Sequence, residues 1–574
     1  MITVIQNIVL AQIPIDSTQL PTLVEEQLEN LTESNEDITT EDDSYLQEMN
    51  HFVKHPLNLN YADQGLLEQL QLLTPVHISN LLSYRKLFGN FLSIYELQAI
   101  PTWNISMIKR ILPYVTVSEN VHVFNSLKSR FKDGATTILL RGTQILENQK
   151  GYLVNKDSVK NHYPGSPHKV LIRYKYKFGN LLQYGFTAEK DAGEQFFKGA
   201  QKHGFDFYSA HLFIRNLGII KSLGLGDFSI NMGQGLTQWQ SLSFARGALS
   251  AKRQSDILRP YNSAGEVAFH RGIGITLKKN NWETTGFASY RRLDASFNVD
   301  TLDFEDYISS LYNTGFHRTA NEIAGRNSQG LLAFGGNLNY STGKFHIGAN
   351  AINYSFEHTI KKKDVLYNMY AINGKKLGNY SIDYSYTYKN IHFFGEAAVD
   401  NNRDPAFING IALSVNSKVD MSFLYRKISP EYQSLYTSAF TESTMPANES
   451  GFYTSIDIAP TDKIRIYAYA DYFHFPWLKY RIDAPSTGRD YMVQFTYTPD
   501  RNIELYARYN NKNKAINYNP DGKVLNPVDN KNKQGLRAQF RYKLDKSFTL
   551  RSRVDLSWYD KRGNKAQNGF LTYF

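Results

Sequence analysis

The chain has 574 residues, with 64 basic and 54 acidic side chains, a net charge of +10 and no cysteine. A mean hydropathy of −0.43, with no run near the ~20 apolar residues of a membrane helix, excludes an α-helical membrane protein. The lack of Cys excludes a disulfide scaffold and a thiolate metal site, while the 14% aromatic content suits the two interfacial girdles of a transmembrane β-barrel.

Residues 1–12 read as a signal-peptide remnant. Ile2 to Leu10 is an apolar core and Ala11-Gln12 a small-residue end, with no Lys or Arg before it. Residues 13–50 hold eleven acidic side chains and no Lys or Arg, with clusters at Glu25-Glu26 and Glu41-Asp42-Asp43, so a flexible acidic segment is expected. Positions 51–574 then carry 43 acidic and 64 basic residues, a net of +21, which makes the chain sharply asymmetric in charge.

Residues 51–117 read as a small all-α domain. Asn60 is the expected cap of a helix from Tyr61 with Asp63 at its third position, and Ser93-Ile94-Tyr95-Glu96 is a capping box opening another. Leu66, Leu67, Leu70 and Leu73, then Ile78, Leu81, Leu82 and Tyr84, recur at helical spacing before a stop at Gly89. Four short helices in two hairpins are expected.

Leu57-Asn58-Leu59-Asn60-Tyr61-Ala62, Tyr84-Arg85-Lys86-Leu87-Phe88-Gly89-Asn90-Phe91 and Glu96-Leu97-Gln98-Ala99-Ile100 together resemble the tandem helix-hairpin-helix domain of ComEA-like competence proteins. The resemblance covers about 60 residues. It implies duplex DNA held without sequence preference, through backbone N–H groups offered to phosphates, here at Val76, His77, Trp103 and Asn104 with Lys109 and Arg110. Both hairpins, Leu73-Thr74-Pro75-Val76-His77 and Ile100-Pro101-Thr102-Trp103-Asn104, depart from the family pattern in lacking its Gly. Pro removes a donor, and Cβ atoms obstruct close backbone approach.

Residues 118–574 read as the barrel, and from about Gly134 to the C-terminus the sequence repeats one unit, a stretch of alternating polar and apolar residues. Examples are Val170-Leu171-Ile172-Arg173-Tyr174-Lys175-Tyr176-Lys177-Phe178 and Leu536-Arg537-Ala538-Gln539-Phe540-Arg541-Tyr542. Successive strand side chains point to opposite faces, so one face suits lipid and the other water. Tight turns at Gly179-Asn180, Asn216-Leu217, Asn280-Asn281, Thr342-Gly343, Lys389-Asn390, Ser417-Lys418, Thr461-Asp462, Pro499-Asp500 and Asp545-Lys546 alternate with polar loops. The clearest loops cover 191–205, 298–329, 358–376, 428–449 and 512–533. Short turns on one side and long loops on the other are the outer-membrane pattern. Nine hairpins, a first strand near Ala135 to Ile145 and a last at Gly569 to Phe574 predict about 20 strands, within a range of 16–22. The fold class is therefore mainly β, a large antiparallel transmembrane β-barrel preceded by a small all-α helix-hairpin-helix domain.

Leu225-Gly226-Asp227-Phe228-Ser229-Ile230-Asn231-Met232-Gly233-Gln234-Gly235-Leu236, with Trp239 after it, is similar to a signature shared by a group of Gram-negative outer-membrane proteins with this layout. The resemblance implies an architecture and no reaction. Gly233 and Gly235 let the backbone bend or approach closely where a strand runs into a loop.

No catalytic or metal constellation stands out. His211, His270, His346, His392 and His474 all fall in predicted strands, with no spacing that selects one as a base. Asn519-Pro520-Asp521-Gly522-Lys523 has calcium-like residue types without the later acidic ligand and reads as a turn. The chain is expected not to be an enzyme and to need no cofactor.

The inward faces present Arg173, Lys175, Lys177, Arg537, Arg541, Lys543, Arg551 and Arg553, and a basic lumen favours anions. The expected function is porin-like passage, with residues 16–48 as an acidic plug and the helical domain as plug support or docking module. A non-conducting scaffold that recruits a periplasmic protein is the alternative, and DNA binding or uptake a second. Expected partners are outer-membrane lipid, a periplasmic protein and, in the second alternative, nucleic acid.

Overall fold

A computed structural model describes residues 44–118, 127–154, 161–242, 251–299, 306–518, 526–545, 548–561 and 566–573. The expected signal segment, most of the acidic segment, the turn at 519–523 and Phe574 lie outside these residues.

The helical domain is built from α1 (Ser44–Lys54), α2 (Gln64–Gln69), α3 (Pro75–Phe88), a 3-10 turn at Ile94–Ala99 and α4 (Ile105–Ile111). Met49, Leu67, Leu70, Leu81, Leu97 and Ile111 are among the apolar side chains of its single core. The parallel pairing of Leu57 with Val115 and Asn58 with Thr116 draws its two ends together.

Two caps follow the sequence directly. Thr74 caps α3 with Pro75 in the first turn, where a missing N–H costs nothing, and Ser93 and Glu96 form the expected capping box. The first helix is a correction. Its cap is Asp63, whose Oδ1 accepts from Leu66 N, and not Asn60. Asn60 instead accepts from Phe91 N at 2.7 Å and donates to Phe91 O at 3.0 Å, tying the first half of the domain to the second.

The remaining chain forms a 24-stranded sheet. Twenty of its strands follow one another in a continuous antiparallel ladder, as the turn count predicts. They are β1 (Ala135–Gln144), β2 (His168–Phe178), β3 (Leu182–Lys190), β4 (Phe207–Leu217), β5 (Ile220–Met232), β6 (His270–Lys279), β7 (Trp282–Leu293), β8 (Gln329–Thr342), β9 (Phe345–Ile360) and β10 (Gly374–Tyr388), then β11 (Ile391–Asp400), β12 (Pro405–Asn416), β13 (Val419–Ile428), β14 (Glu449–Ile458), β15 (Ile464–Phe475), β16 (Ser486–Tyr497), β17 (Ile503–Asn517), β18 (Val528–Lys543), β19 (Thr549–Lys561) and β20 (Gln567–Tyr573).

Strand β10 displays the rule most clearly. Tyr380, Ile382, Tyr384, Tyr386 and Tyr388 are exposed, while Asn379, Ser381, Asp383, Ser385 and Thr387 are buried. At the tight turns Asn280 and Lys389 hold φ of 55° and 53°, the left-handed conformation that two-residue hairpins require. The turn expected at Asn216-Leu217 lies at Gly218-Ile219 instead, with Leu217 paired to Ile220 and Gly218 at φ 60°. One expected loop is a correction. Residues 512–517 and 528–533 continue β17 and β18 as a paired ribbon, Lys512 opposite Lys533 and Lys514 opposite Lys531.

Candidate functional site

Strand β5 carries the Leu225–Leu236 signature, and its second half leaves the wall. Beyond Asp227 all of its side chains are buried, and it pairs with a short segment at Leu258–Pro260 inside the ring. The chain then turns through Gly233 (φ 54°) and Gly235 (φ 84°). A Cβ on Gly233 would lie 2.6 Å from Glu396 Cδ, so only glycine permits this approach.

Glu396, on β11, is what the turn approaches. Its Oε2 accepts from Gln234 N at 2.6 Å and Leu236 N at 3.0 Å; its Oε1 accepts from Thr237 Oγ1 at 3.0 Å and Ser381 Oγ at 2.7 Å. One buried carboxylate therefore fixes the luminal loop to the wall through three loop donors, with Ser381 of β10 as a fourth donor from the wall itself.

A second loop, 429–448, folds in beside the first. Tyr432 donates its hydroxyl to Leu236 O at 2.9 Å, Arg253 donates to Ser438 O and Ala439 O, and Trp239 N donates to Tyr436 O. At the root of this loop Arg426 is fully buried. Its Nε donates to Glu449 Oε1 at 2.6 Å, and Nη1 and Nη2 donate to the two oxygens of Asp471 at 2.8 and 3.1 Å. Glu449 also accepts from Glu442 N and Ser443 N.

Around these loops parts of the inner wall are apolar, beside polar stretches such as Ser381, Asp383 and Ser385. Phe228, Ile230, Ile352, Tyr354 and Phe356 pack with Tyr436, while Leu236, Phe394, Ile408, Leu424 and Tyr453 pack with Phe440. Apolar side chains facing each other across a lumen exclude water from it. Both clusters contain loop residues, so the loops act as the core of the ring.

The helical domain sits at the tight-turn mouth. Glu48 pairs with Arg259 at 2.7 Å, Gln69 donates to Asp256 at 2.9 Å, Asn104 donates to Ser417 O, and Lys109 pairs with Asp462 at 3.3 Å. Val76, His77 and Trp103 are buried. His77 Nε2 is 3.7 Å from Asp420, and burial holds its imidazole below the ordinary value although Asp420 acts in the opposite sense. Arg110 acts electrostatically on Asp457 of the wall. The residues that the ComEA-like resemblance assigns to DNA thus meet the barrel's turns or the domain's own core.

Between domain and lumen lies a polar cavity of about 390 Å³, with Glu68, Lys221, Lys252, Asp256, His346 and Asp383 on its walls.

The sequence-predicted lumenal cations are placed as follows. Arg173, Arg537 and Arg553 are buried, Lys175, Lys177, Arg541 and Arg551 half-buried, and Lys543 exposed. Arg537 and Arg553 share Asp555, at 2.6 and 3.0 Å, while Arg173 Nε donates to Thr187 Oγ1 at 3.4 Å. Asp471, which pairs with Arg426, and Glu396, which holds the luminal loop, were not singled out by sequence, because a lone carboxylate in an apolar-alternating strand carries no motif. Four of the histidines are engaged along the inner wall, His211 with Gln183, His270 with Gln238, His346 with Asp383 and His392 with Thr387; His474 is exposed.

On the long-loop side, Glu194, Asp206 and His317 converge, one ligand atom from each lying within 4.8 Å of the others. His317 Nδ1 contacts Asp206 Oδ2, its Nε2 lies 3.1 Å from Asp294, and its backbone N donates to Glu194 Oε1 at 2.8 Å. Burial, then Asp206 and Asp191, push the Glu194 carboxyl up to about 8. Burial alone would lower His317, but its hydrogen bonds to Asp206 and Asp294 prevail and raise it to about 9. Both groups hold protons more tightly folded than unfolded. Their stabilisation is full below the ordinary carboxyl value of 4.5 and is lost as pH rises through about 8 and then 9. Amide protection at Asp191 and His317, both donors to Glu194, should fall over that range in chelator-treated protein. A pH-independent protection factor would contradict the assignment.

No protein-family model matches the chain, and no curated protein sequence does. Solved structures with a similar course include Wzi of Escherichia coli, described as an outer-membrane, carbohydrate-binding β-barrel involved in group 1 capsule assembly, at 10% identity over 74% of this chain and 85% of that one, with a TM-score of 0.33. The outer-membrane protein OprD of Pseudomonas aeruginosa is 11% identical over 68% and 88%, with a TM-score of 0.32. An anion-selective porin of Comamonas acidovorans is 10% identical over 64% and 84%, with a TM-score of 0.24.

Proposed function

We propose that this chain is an outer-membrane β-barrel closed at rest by its own luminal loops, which anchors its helical domain in the periplasm for a protein partner. The observation that carries the closed state is the apolar part of the inner wall packed against Leu236, Tyr436 and Phe440. A water-filled pore would leave such a wall wet. Membrane insertion is supported by the exposed aromatic and aliphatic outer faces of strands such as β10. Tight turns face the periplasm in barrels of this kind, which supports a periplasmic position for the domain.

Docking is supported by the domain's free edge. Leu87, Phe88, Leu92 and Tyr95 are each more than 70% exposed around Gly89, apolar surface that monomers rarely display together. The decisive experiment is reconstitution in planar bilayers. Silence is expected from the intact protein; stable anion-selective steps would reject the closed barrel and restore the porin-like reading.

Gated passage is favoured by a separate observation, the polar cavity between domain and lumen. Displacing the loop held by Glu396 would connect it to the long-loop side. DNA binding through the domain requires that His77, Asn104 and Lys109 leave the barrel, and salt-sensitive duplex binding by the intact protein is its test.

A further inference from the structure

We infer that Glu194, Asp206 and His317 form a binding site for one first-row divalent cation of the zinc type, which clasps the long loops of the barrel together. Glu194 and Asp206 come from the loop joining β3 to β4, and His317 from the loop joining β7 to β8. His317 lies 111 residues from Asp206, so the fold alone brings it to the other two. Each offers one ligand atom, all within 4.8 Å of one another, and all three residues are buried.

A separate observation points to room for a further partner. Among the described residues, Asp206 Oδ1 is buried and accepts no hydrogen bond, although it is ion-paired with Arg326. The nearest cation, Arg326 Nη2, is 3.4 Å away, while Arg326 donates to Gln201 Oε1 and to the Asp206 carbonyl. A buried carboxylate oxygen without a donor is costly, and a coordinated cation satisfies it.

The ligand set selects the ion class. One imidazole with two carboxylates suits zinc or manganese, whereas calcium and magnesium prefer all-oxygen shells. Asp294, 3.1 Å from His317 Nε2, stands where an orienting carboxylate stands in histidine metal sites, fixing the ring so that Nδ1 faces Glu194 and Asp206. On binding, the hydrogen shared by His317 Nδ1 and Asp206 and the proton carried by Glu194 both leave to solvent, and the nitrogen lone pair and the freed Glu194 carboxylate form bonds to the metal.

The test uses the full chain in detergent, stripped with EDTA and titrated with ZnCl2, with bound metal counted by elemental analysis. Co2+ provides a spectroscopic probe through its visible bands. About one Zn2+ per chain is expected, falling to none in His317→Ala, with the Co2+ bands lost in parallel. Glu194→Gln should weaken binding at least tenfold, and Asp294→Asn by about 10–100-fold, the usual range for an orienting group. If His317→Ala does not fold, judged by its heat-modifiable gel mobility, the Glu194 and Asp294 variants decide alone. Absence of stoichiometric binding, or the same affinity in all folded variants, overturns the site and leaves only adventitious surface binding.

Discussion

Replacing Arg426 by Met should lower the stability of the folded barrel by about 3–5 kcal/mol, the cost of removing one member of a buried ionic group. The guanidinium, Glu449 and Asp471 are all fully buried, and Arg426 makes three charge-assisted hydrogen bonds to them. Met fills much of the volume but leaves two carboxylates side by side without a cation. Each then repels the other and lacks water. Glu449 would still accept from Glu442 N and Ser443 N, so the second luminal loop loosens at its root before the wall fails. The measurement is the urea midpoint of the loss of heat-modifiable mobility. The triple variant Arg426→Met, Glu449→Gln, Asp471→Asn should recover most of the loss, because it removes the stranded charges with the cation. Equal midpoints for the wild type and Arg426→Met would mean that water reaches these groups.

How much of this was legible can be traced residue by residue. Strand number came through because Tyr380, Ile382 and Tyr384 alternate with Ser381 and Asp383, and because Asn280 and Lys389 mark turns that need a left-handed residue. Polarity failed where it does not alternate. The ends of β17 and β18, where Lys512 faces Lys533, are polar throughout, so a strand pair reads as a loop. Asn60 fits a cap by residue type, yet its side chain is engaged with Phe91, a contact 31 residues away that spacing cannot reveal.

The filled lumen was hidden for a different reason. Ile352, Phe394 and Ile408 are apolar residues in strands that are also apolar outside, and alternation distinguishes faces only when one of them is wet. Gly233 and Gly235 were visible as a place where backbone approaches something closely. That something, Glu396, lies 163 residues further on and carries no motif of its own. The Glu194, Asp206 and His317 cluster is likewise assembled from separate loops, and each residue alone looks like a solvated loop side chain.

Glu396→Ala should release the first luminal loop and convert a silent barrel into a conducting one. The substitution leaves Gln234 N and Leu236 N as buried donors without an acceptor and removes the acceptor of Thr237 Oγ1. Two unsatisfied N–H groups cost about 2–6 kcal/mol together, enough to shift a loop held mainly by this carboxylate and by the Tyr432 and Arg253 contacts. Glu396→Gln separates geometry from charge. Its amide oxygen can occupy the position of Oε2, where both backbone N–H groups point. Its NH2 then falls where the Thr237 and Ser381 hydroxyls lie, and a hydroxyl can rotate to accept. The Gln variant should therefore stay nearly silent in planar bilayers while the Ala variant shows frequent openings. Silence in both would mean that the apolar packing of Leu236, Tyr436 and Phe440 holds the lumen closed without Glu396, because the hydrogen bonds would then orient the loop and the hydrophobic contacts would seal it.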